Sequence, residues 1–224
     1  MLLLHSIYSS TSKRLRNWLR KCPSNQYTTL DTHDGIGVVD VKDLMTDQEI
    51  EETREMLYKQ GSNVKKVYSS EAYDNLDIYQ INCSYYSALG NDDDSYLLAR
   101  AVQFFAPGIP QVYYVGLLAG ENDIELLEET KVGRNINRHY YSKEEIDKEV
   151  KRPVVKKLIK MMEFRNSYPA FNGEYTIHDS EREEKLKISW KNGEAEAHLK
   201  ADFSNSSFEI EYFDQKNKEM KKLR

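Results

Sequence analysis

Apolar and polar positions change period several times along this 224-residue chain, and each change marks an element. In residues 13–21, Leu15, Trp18 and Leu19 recur at helical spacing among Lys13, Arg14, Arg16, Arg20 and Lys21. That spacing predicts a helix with one buried face and one solvated basic face. Pro23, Ser24 and Asn25 end it, and residues 26–30 read as a strand end running into a loop. Val38, Val39, Asp40 and Val41 continue in an extended pattern. Thr46 with Glu49 is a capping-box signature for a helix that Gly61 closes. Residues 64–86 mix Tyr, Ser, Asn and short apolar runs and predict an irregular excursion. Asp92, Asp93 and Asp94 precede a helix over 96–105, where they suit the N-cap and first turn better than a metal site. After a turn at Pro107, Gly108 and Pro110, residues 111–116 form a run fit for a buried parallel strand. Residues 133–141 are a polar-aromatic loop, and Ser142 with Glu145 is a second capping box. An amphipathic helix over 154–164 carries Val155, Leu158, Ile159 and Met162 on its apolar side.

Beyond Tyr168 the period becomes two. Residues 186–190 alternate, Asn192 and Gly193 follow, and residues 195–199 alternate again, the pattern of a β-hairpin. Residues 208–212 add another strand. The chain is therefore expected to be α/β followed by a small antiparallel β domain of 171–224, docked on the rest because it is marginal alone.

Composition narrows the function classes. With 39% hydrophobic and 31% charged residues the chain reads as an ordinary globular protein. A net charge of −5 disfavours electrostatic binding to nucleic acid or acidic lipid. Cys22 and Cys83 give neither a disulfide framework nor zinc spacing, so buried free thiols in a reducing cytoplasm are expected. No apolar stretch approaches the roughly 20 residues a membrane span needs. The start, from Met1 to His5, has no basic region and is too short for a signal peptide. A cytoplasmic protein is expected.

The candidate chemistry lies in Asp31, Thr32, His33, Asp34, Gly35, Ile36 and Gly37, directly after the expected strand end. The imidazole can donate to a sugar hydroxyl, the carboxylate can face developing positive charge, and the glycines allow a sharp turn and the close approach of a ligand. The segment Thr29-Leu30-Asp31-Thr32-His33-Asp34-Gly35-Ile36-Gly37-Val38-Val39-Asp40 resembles the His-Asp motif of sucrose phosphorylases, members of the α-amylase clan of (β/α)8 barrels. Three more segments resemble that family in the same order: Asn75-Leu76-Asp77-Ile78-Tyr79-Gln80-Ile81-Asn82, then Phe105 through Pro110 to Gly116, then Gly133 to Tyr141.

The resemblance implies the C-terminal part of a TIM-type barrel with a loop-rich excursion and a small C-terminal antiparallel β domain. Its divisions would be 1–35, partial barrel; 36–90, excursion with acceptor loop; 91–170, last helix-strand-helix unit; and 171–224, β domain. It implies that Asp34 is the stabiliser of an oxocarbenium-like transition state and that His33 binds hydroxyls of the glucosyl ring. Asp77, Ile78, Tyr79 and Gln80 would form the acceptor loop that receives fructose and phosphate in turn. Arg134 would sit at the sugar site, its planar fork suited to hydroxyl pairs or phosphate. The plainer alternative for Arg134 or Arg138 is a loop-to-helix salt bridge, and His139 is expected to be structural. The implied reaction is retaining glucosyl transfer from sucrose to phosphate, giving α-glucose 1-phosphate and fructose without metal or organic cofactor.

Retaining chemistry uses a nucleophile and an acid/base roughly 5 Å apart. In the family both precede the His-Asp loop, yet residues 1–30 contain no Asp or Glu. A barrel typically takes about 250 residues. The expectation is a C-terminal portion from an interrupted or internally started reading frame, active only with an N-terminal complementing piece. The alternatives are a non-catalytic remnant, a weak carbohydrate-binding fragment or a phosphorylase of a phosphorylated or glycerol-linked glucoside.

Overall fold

The helix Asp93–Phe105 lies at the centre of the molecule, with every side chain from residue 96 to 105 buried, Arg100 and Gln103 included. A computed structural model describes residues 1–62 and 80–223. In chain order, α1 (Leu2–Tyr8) and α2 (Lys13–Leu19) lead to β1 (Tyr27–Thr28), β2 (Ile36–Gly37) and α3 (Asp47–Lys59). Then β3 (Gln80–Ile81), α4 (Tyr85–Ala88), the central α5 (Asp93–Phe105) and β4 (Ile109–Pro110) follow. Four helices complete the α/β part: α6 (Tyr114–Leu117), α7 (Ile124–Thr130), α8 (Lys143–Glu149) and α9 (Pro153–Ser167). The chain continues through β5 (Glu174–Ile177), β6 (Lys185–Asn192), β7 (Ala195–Asp202), β8 (Ser207–Asp214) and β9 (Glu219–Lys222).

Local signals set most of these boundaries. Both capping boxes form: Thr46 and Glu49 open α3, and Ser142 and Glu145 open α8. Asp92 caps α5, its side chain accepting from Ser95 N at 2.8 Å, as its N-cap position requires. β1 and β4 pair in parallel, Tyr27 with Ile109 and Thr28 with Pro110. Gln103 on α5 ties them together, its Nε2 donating to Thr28 O at 2.7 Å and Gln111 O at 2.9 Å.

Other expectations are corrected. Val39–Val41 forms a 3-10 turn rather than extended chain. No strand forms over 111–116: the two-residue β4 lies before it, at Ile109–Pro110 within the expected turn, and the backbone turns into α6 at Tyr114. Here packing overrides the β propensity of Val and Tyr: Tyr96 OH donates to Gly116 O, and a Cβ at Gly116 would stand 2.1 Å from Arg100 Nη2. Arg16, expected in solvent, is buried because the segment before β6 folds over α2, where Arg16 Nη1 donates to Ser180 O at 2.9 Å. Ser12 Oγ bonds Glu183 O and Lys185 O on the same segment. In α9 the buried face carries Met161 and Phe164, with Ile159 and Met162 only packed against the core from its margin. The apolar start, Leu2, Leu3 and Leu4, forms the buried face of α1.

The β strands form one antiparallel sheet in chain order, β5-β6-β7-β8-β9. Leu186, Ile188 and Trp190 alternate inward on β6, as do Ala195, Ala197, Leu199 and Ala201 on β7. The small alanines let α5 lie close against β7. Asn192 pairs with Ala195, so the two-residue turn is Gly193 and Glu194, with Gly193 at φ +59°, the left-handed position that favours glycine. Trp190 Nε1 donates to Phe105 O at 2.8 Å, and the Arg165 guanidinium stacks on Phe171 and Trp190. One apolar cluster runs from Met1 to Ile210, through both the helices and the sheet.

Candidate active site

The His-Asp loop is a closed four-residue turn. Thr32 N donates to Gly35 O at 3.1 Å and Gly35 N to Thr32 O at 3.0 Å, which leaves His33 and Asp34 as the two central residues. Thr32 Oγ1 accepts from Asp34 N at 3.2 Å. Gly35 sits at φ +102°, and a Cβ there would meet Ile81 O at 2.3 Å. The close approach foreseen for a ligand is thus made by strand β3: Ile36 pairs with Ile81 and Gly37 with Gln80. Asn82 Nδ2 donates to Asp34 O at 2.9 Å and Asn137 Nδ2 to Thr32 O at 3.0 Å, so the turn's carbonyls are held from both sides.

The Asp34 carboxylate is surrounded by cations. Arg134 Nη1 donates to Oδ1 at 3.1 Å and Arg138 Nη2 to the same oxygen at 3.2 Å. His33 Nε2 lies 3.1 Å from Oδ2. Arg138 also donates from Nε to His33 O at 2.7 Å. The Asp34 side chain is 27% exposed and that of His33 65%, so the acid is recessed while the imidazole faces outward. Arg134 and Arg138 both come from the 3-10 turn Gly133–Asn137 and its C-cap, which brings a segment a hundred residues away onto the loop. The alternative of a loop-to-helix salt bridge is half met: both arginines are ion-paired, and their partner is Asp34 itself.

Beneath the turn lies a buried pair absent from the candidate residues. Arg100 Nη2 donates to Asp31 Oδ1 at 3.0 Å, with side chains 0% and 1% exposed. Asp31 Oδ2 accepts from Tyr85 N at 3.2 Å, and Arg100 further donates to Tyr96 OH and to Gln103 Oε1. The signal in the sequence was a lone arginine inside the apolar stretch Leu97, Leu98, Ala99, Ala101, Val102: such a residue is buried only when paired.

Of the acceptor-loop candidates, Asp77, Ile78 and Tyr79 lie outside the described residues. Gln80 pairs across from Gly37 at the edge of the turn. It lines a cavity of about 470 Å³ together with Thr32, Gly35, Trp18 and Tyr27. His139 is tied to Asp123, Nδ1 to Oδ2 at 2.6 Å, and Asp123 caps α7 through Leu126 N. Its role here is to join two elements, as expected. Both cysteines are buried and free. Among the described residues no group of three or more His, Cys, Asp or Glu is placed to hold a metal ion, and no helix is long and apolar enough to cross a membrane.

No protein-family model matches the chain. Curated relatives do. A sucrose phosphorylase of Streptococcus mutans is 66% identical over 172 residues, covering 77% of this chain and 36% of that protein. A glucosylglycerol phosphorylase of Marinobacter adhaerens is 41% identical over 99% of this chain and 46% of its own length. Among solved structures, a sucrose 6F-phosphate phosphorylase from Thermoanaerobacter thermosaccharolyticum superposes with a TM-score of 0.90 at 43% identity, over 99% of this chain and 44% of that one. The chain spans less than half the length of the curated relatives it matches. On sequence identity and superposed fold together, it belongs to the sucrose phosphorylase family and corresponds to a C-terminal portion of its members.

Proposed function

We propose that this chain supplies the transition-state-stabilising and acceptor-side portion of a retaining glucosyl phosphorylase that converts sucrose and phosphate to α-glucose 1-phosphate and fructose. The observation that carries this is the recessed Asp34 carboxylate, presented on a tight turn beside His33, Arg134 and Arg138. As the glucosyl–oxygen bond breaks, positive charge grows on the anomeric carbon and ring oxygen, and a fixed carboxylate lowers that barrier without itself forming a bond. His33, exposed beside it, donates to ring hydroxyls. Arg134 presents a fork to hydroxyl pairs or phosphate at the sugar site, and Gln80 with Asp77, Ile78 and Tyr79 forms the acceptor side.

The nucleophile and the acid/base come from the N-terminal portion of such an enzyme, which these 224 residues do not span. β1 and β4 serve as two neighbouring strands of a (β/α)8 barrel that this portion completes. Tyr27 and Ile109, 71% and 61% exposed, lie on those strands, where added parallel strands cover them. Residues 171–224 act as the appended β domain. Relatives named for sucrose, sucrose 6(F)-phosphate and glucosylglycerol share this portion. Acceptor choice is accordingly assigned to the 77–80 segment, with sucrose taken from the Streptococcus mutans relative, 66% identical over 77% of this chain.

The test is a phosphate-dependent sucrose assay that follows glucose 1-phosphate. The chain alone should give none. Mixed with the N-terminal portion of the Streptococcus mutans relative, it should turn over, and Asp34→Asn should then lower kcat by about 10²-fold or more, the scale of losing one preorganised electrostatic contact. A complemented Asp34→Asn enzyme at full rate would remove the stabiliser role.

A further inference from the structure

The outer face of the β-sheet, opposite the one that packs on α5, carries cross-strand ion pairs. Lys185 pairs with Asp202, Lys191 with Glu196 and Lys200 with Glu211. One row of this face differs. Ser189 on β6 stands opposite His198 on β7, and His178, just past the end of β5, reaches the same serine. His178 Nε2 lies 2.7 Å from Ser189 Oγ, and His198 Nδ1 lies 2.8 Å from it. Two ring nitrogens therefore converge on one point, which a small, readily rotated hydroxyl occupies. An imidazole–zinc bond is roughly 2.0–2.1 Å long. Against 2.7 and 2.8 Å, an ion at that point needs each ring to close by only about 0.7 Å once the serine takes another rotamer.

We propose that His178 and His198 form a binding site for one divalent transition-metal ion of the Zn2+, Ni2+ or Cu2+ class, which takes the place of the Ser189 hydroxyl. Among the described residues no third His, Cys, Asp or Glu is in position, so water fills the remaining coordination. Burial, and after it the Lys187 cation, holds both imidazoles below their ordinary 6.5. The rings are thus uncharged at neutral pH, as ligation requires. Around His198, Glu196 and Glu211 act against Lys187 and Lys200. The Glu196 carboxylate lies 3.6 Å from His198 Nε2, where it favours the tautomer that leaves Nδ1 free for an ion. Lys187 opposes every cation alike. Ions that bond strongly to imidazole recover that cost, whereas Mg2+ and Ca2+, which prefer oxygen, do not. The bound ion joins β5 to β7 across β6, two strands with no ladder of their own.

The experiment adds Zn2+ to the 224-residue chain at neutral pH and follows its five histidine rings by NMR, with circular dichroism to verify folding of each variant. The His178 and His198 resonances should shift together and saturate at a single equivalent. Those of His5, His33 and His139 should stay in place, and Mg2+ should move none. Zn2+ should also raise Tm, because it binds the folded chain in preference to the unfolded one. His178→Gln and His198→Gln, each keeping a polar side chain, should lose both the saturation and the rise in Tm. Ser189→Ala vacates the point of convergence and removes the hydrogen bonds that the ion has to break. It should bind about tenfold more tightly, the scale of one net hydrogen bond. A wild-type chain whose two rings do not respond overturns the proposal, as does an equal response to Mg2+. Undiminished binding in either glutamine variant does the same. Weaker binding by Ser189→Ala, which keeps both imidazoles, overturns it too, because the ion would not then take the serine's place.

Discussion

Asp31 and Asp34 stand three residues apart and illustrate two fates of a carboxylate. Asp34 is recessed yet reachable, with the partly exposed Arg134 and Arg138 paired to it. Asp31 is sealed against Arg100, and removing one partner of such a pair strands the other in a low dielectric. Arg100→Met should therefore destabilise the chain by about 3–5 kcal/mol in urea unfolding. The double change with Asp31→Asn should recover much of that, and equal losses in the two variants would show that the arginine matters only for packing. Burial has a comparable effect on Cys83, which is 0% exposed and whose thiol is pushed up to about 12. The thiolate is the reactive form, so neither cysteine should react with a thiol reagent at pH 8 until urea unfolds the chain. Fast labelling under native conditions would mean that the core around β3 opens readily.

At the scale of elements, helix starts are set locally. Thr46 N and Thr46 Oγ1 both bond the Glu49 carboxylate, and Glu49 N returns a bond to Thr46 Oγ1. Thr46→Ala should cost about 1 kcal/mol. Burial works against the charged form of Glu49, but the bonds from Thr46 and from Arg14 outweigh it and hold its carboxyl down to about 2, from an ordinary 4.5. Because the folded value is the lower one, the stabilisation is complete above about 4.5 and is lost as pH falls toward 2. Glu49→Gln should flatten the pH dependence of unfolding across that window, and an unchanged acid limb would remove this assignment. The turn behaves differently: its closure follows from Gly35 and its own two bonds, but its placement follows from β3, Asn82 and the 3-10 turn Gly133–Asn137, all distant in sequence.

For the whole molecule, the continuous apolar cluster predicts that helices and sheet melt together. Trp190→Phe removes the indole bond to Phe105 O while keeping an aromatic ring. It should lower the midpoint of a single calorimetric transition, by about 0.5–1.5 kcal/mol of stability, the usual net value of one hydrogen bond. Two separated transitions would show that the sheet folds independently of α5. The same continuity explains how the end of the chain reaches its beginning, where Ser12, Lys13, Arg16 and Arg20 meet residues 179–185.

Local rules made much of this legible in advance. Both capping boxes, the Asp92 cap, the β6–β7 hairpin and the His-Asp turn are written in neighbouring residues, and their energetics are settled within a few positions. The four family-like segments pointed to the sucrose phosphorylases, and the identities of the relatives agree. Tertiary structure alone decided the rest, because these features depend on which distant groups share a desolvated space. It put α6 where a strand was expected at 111–116, which leaves room for Arg100, buried Arg16 under the segment before β6, and set β3 against Gly35 where a ligand was expected. It also brought Arg138 as well as Arg134 onto Asp34. A sequence lists charges one at a time; only a folded chain determines which of them must neutralise each other.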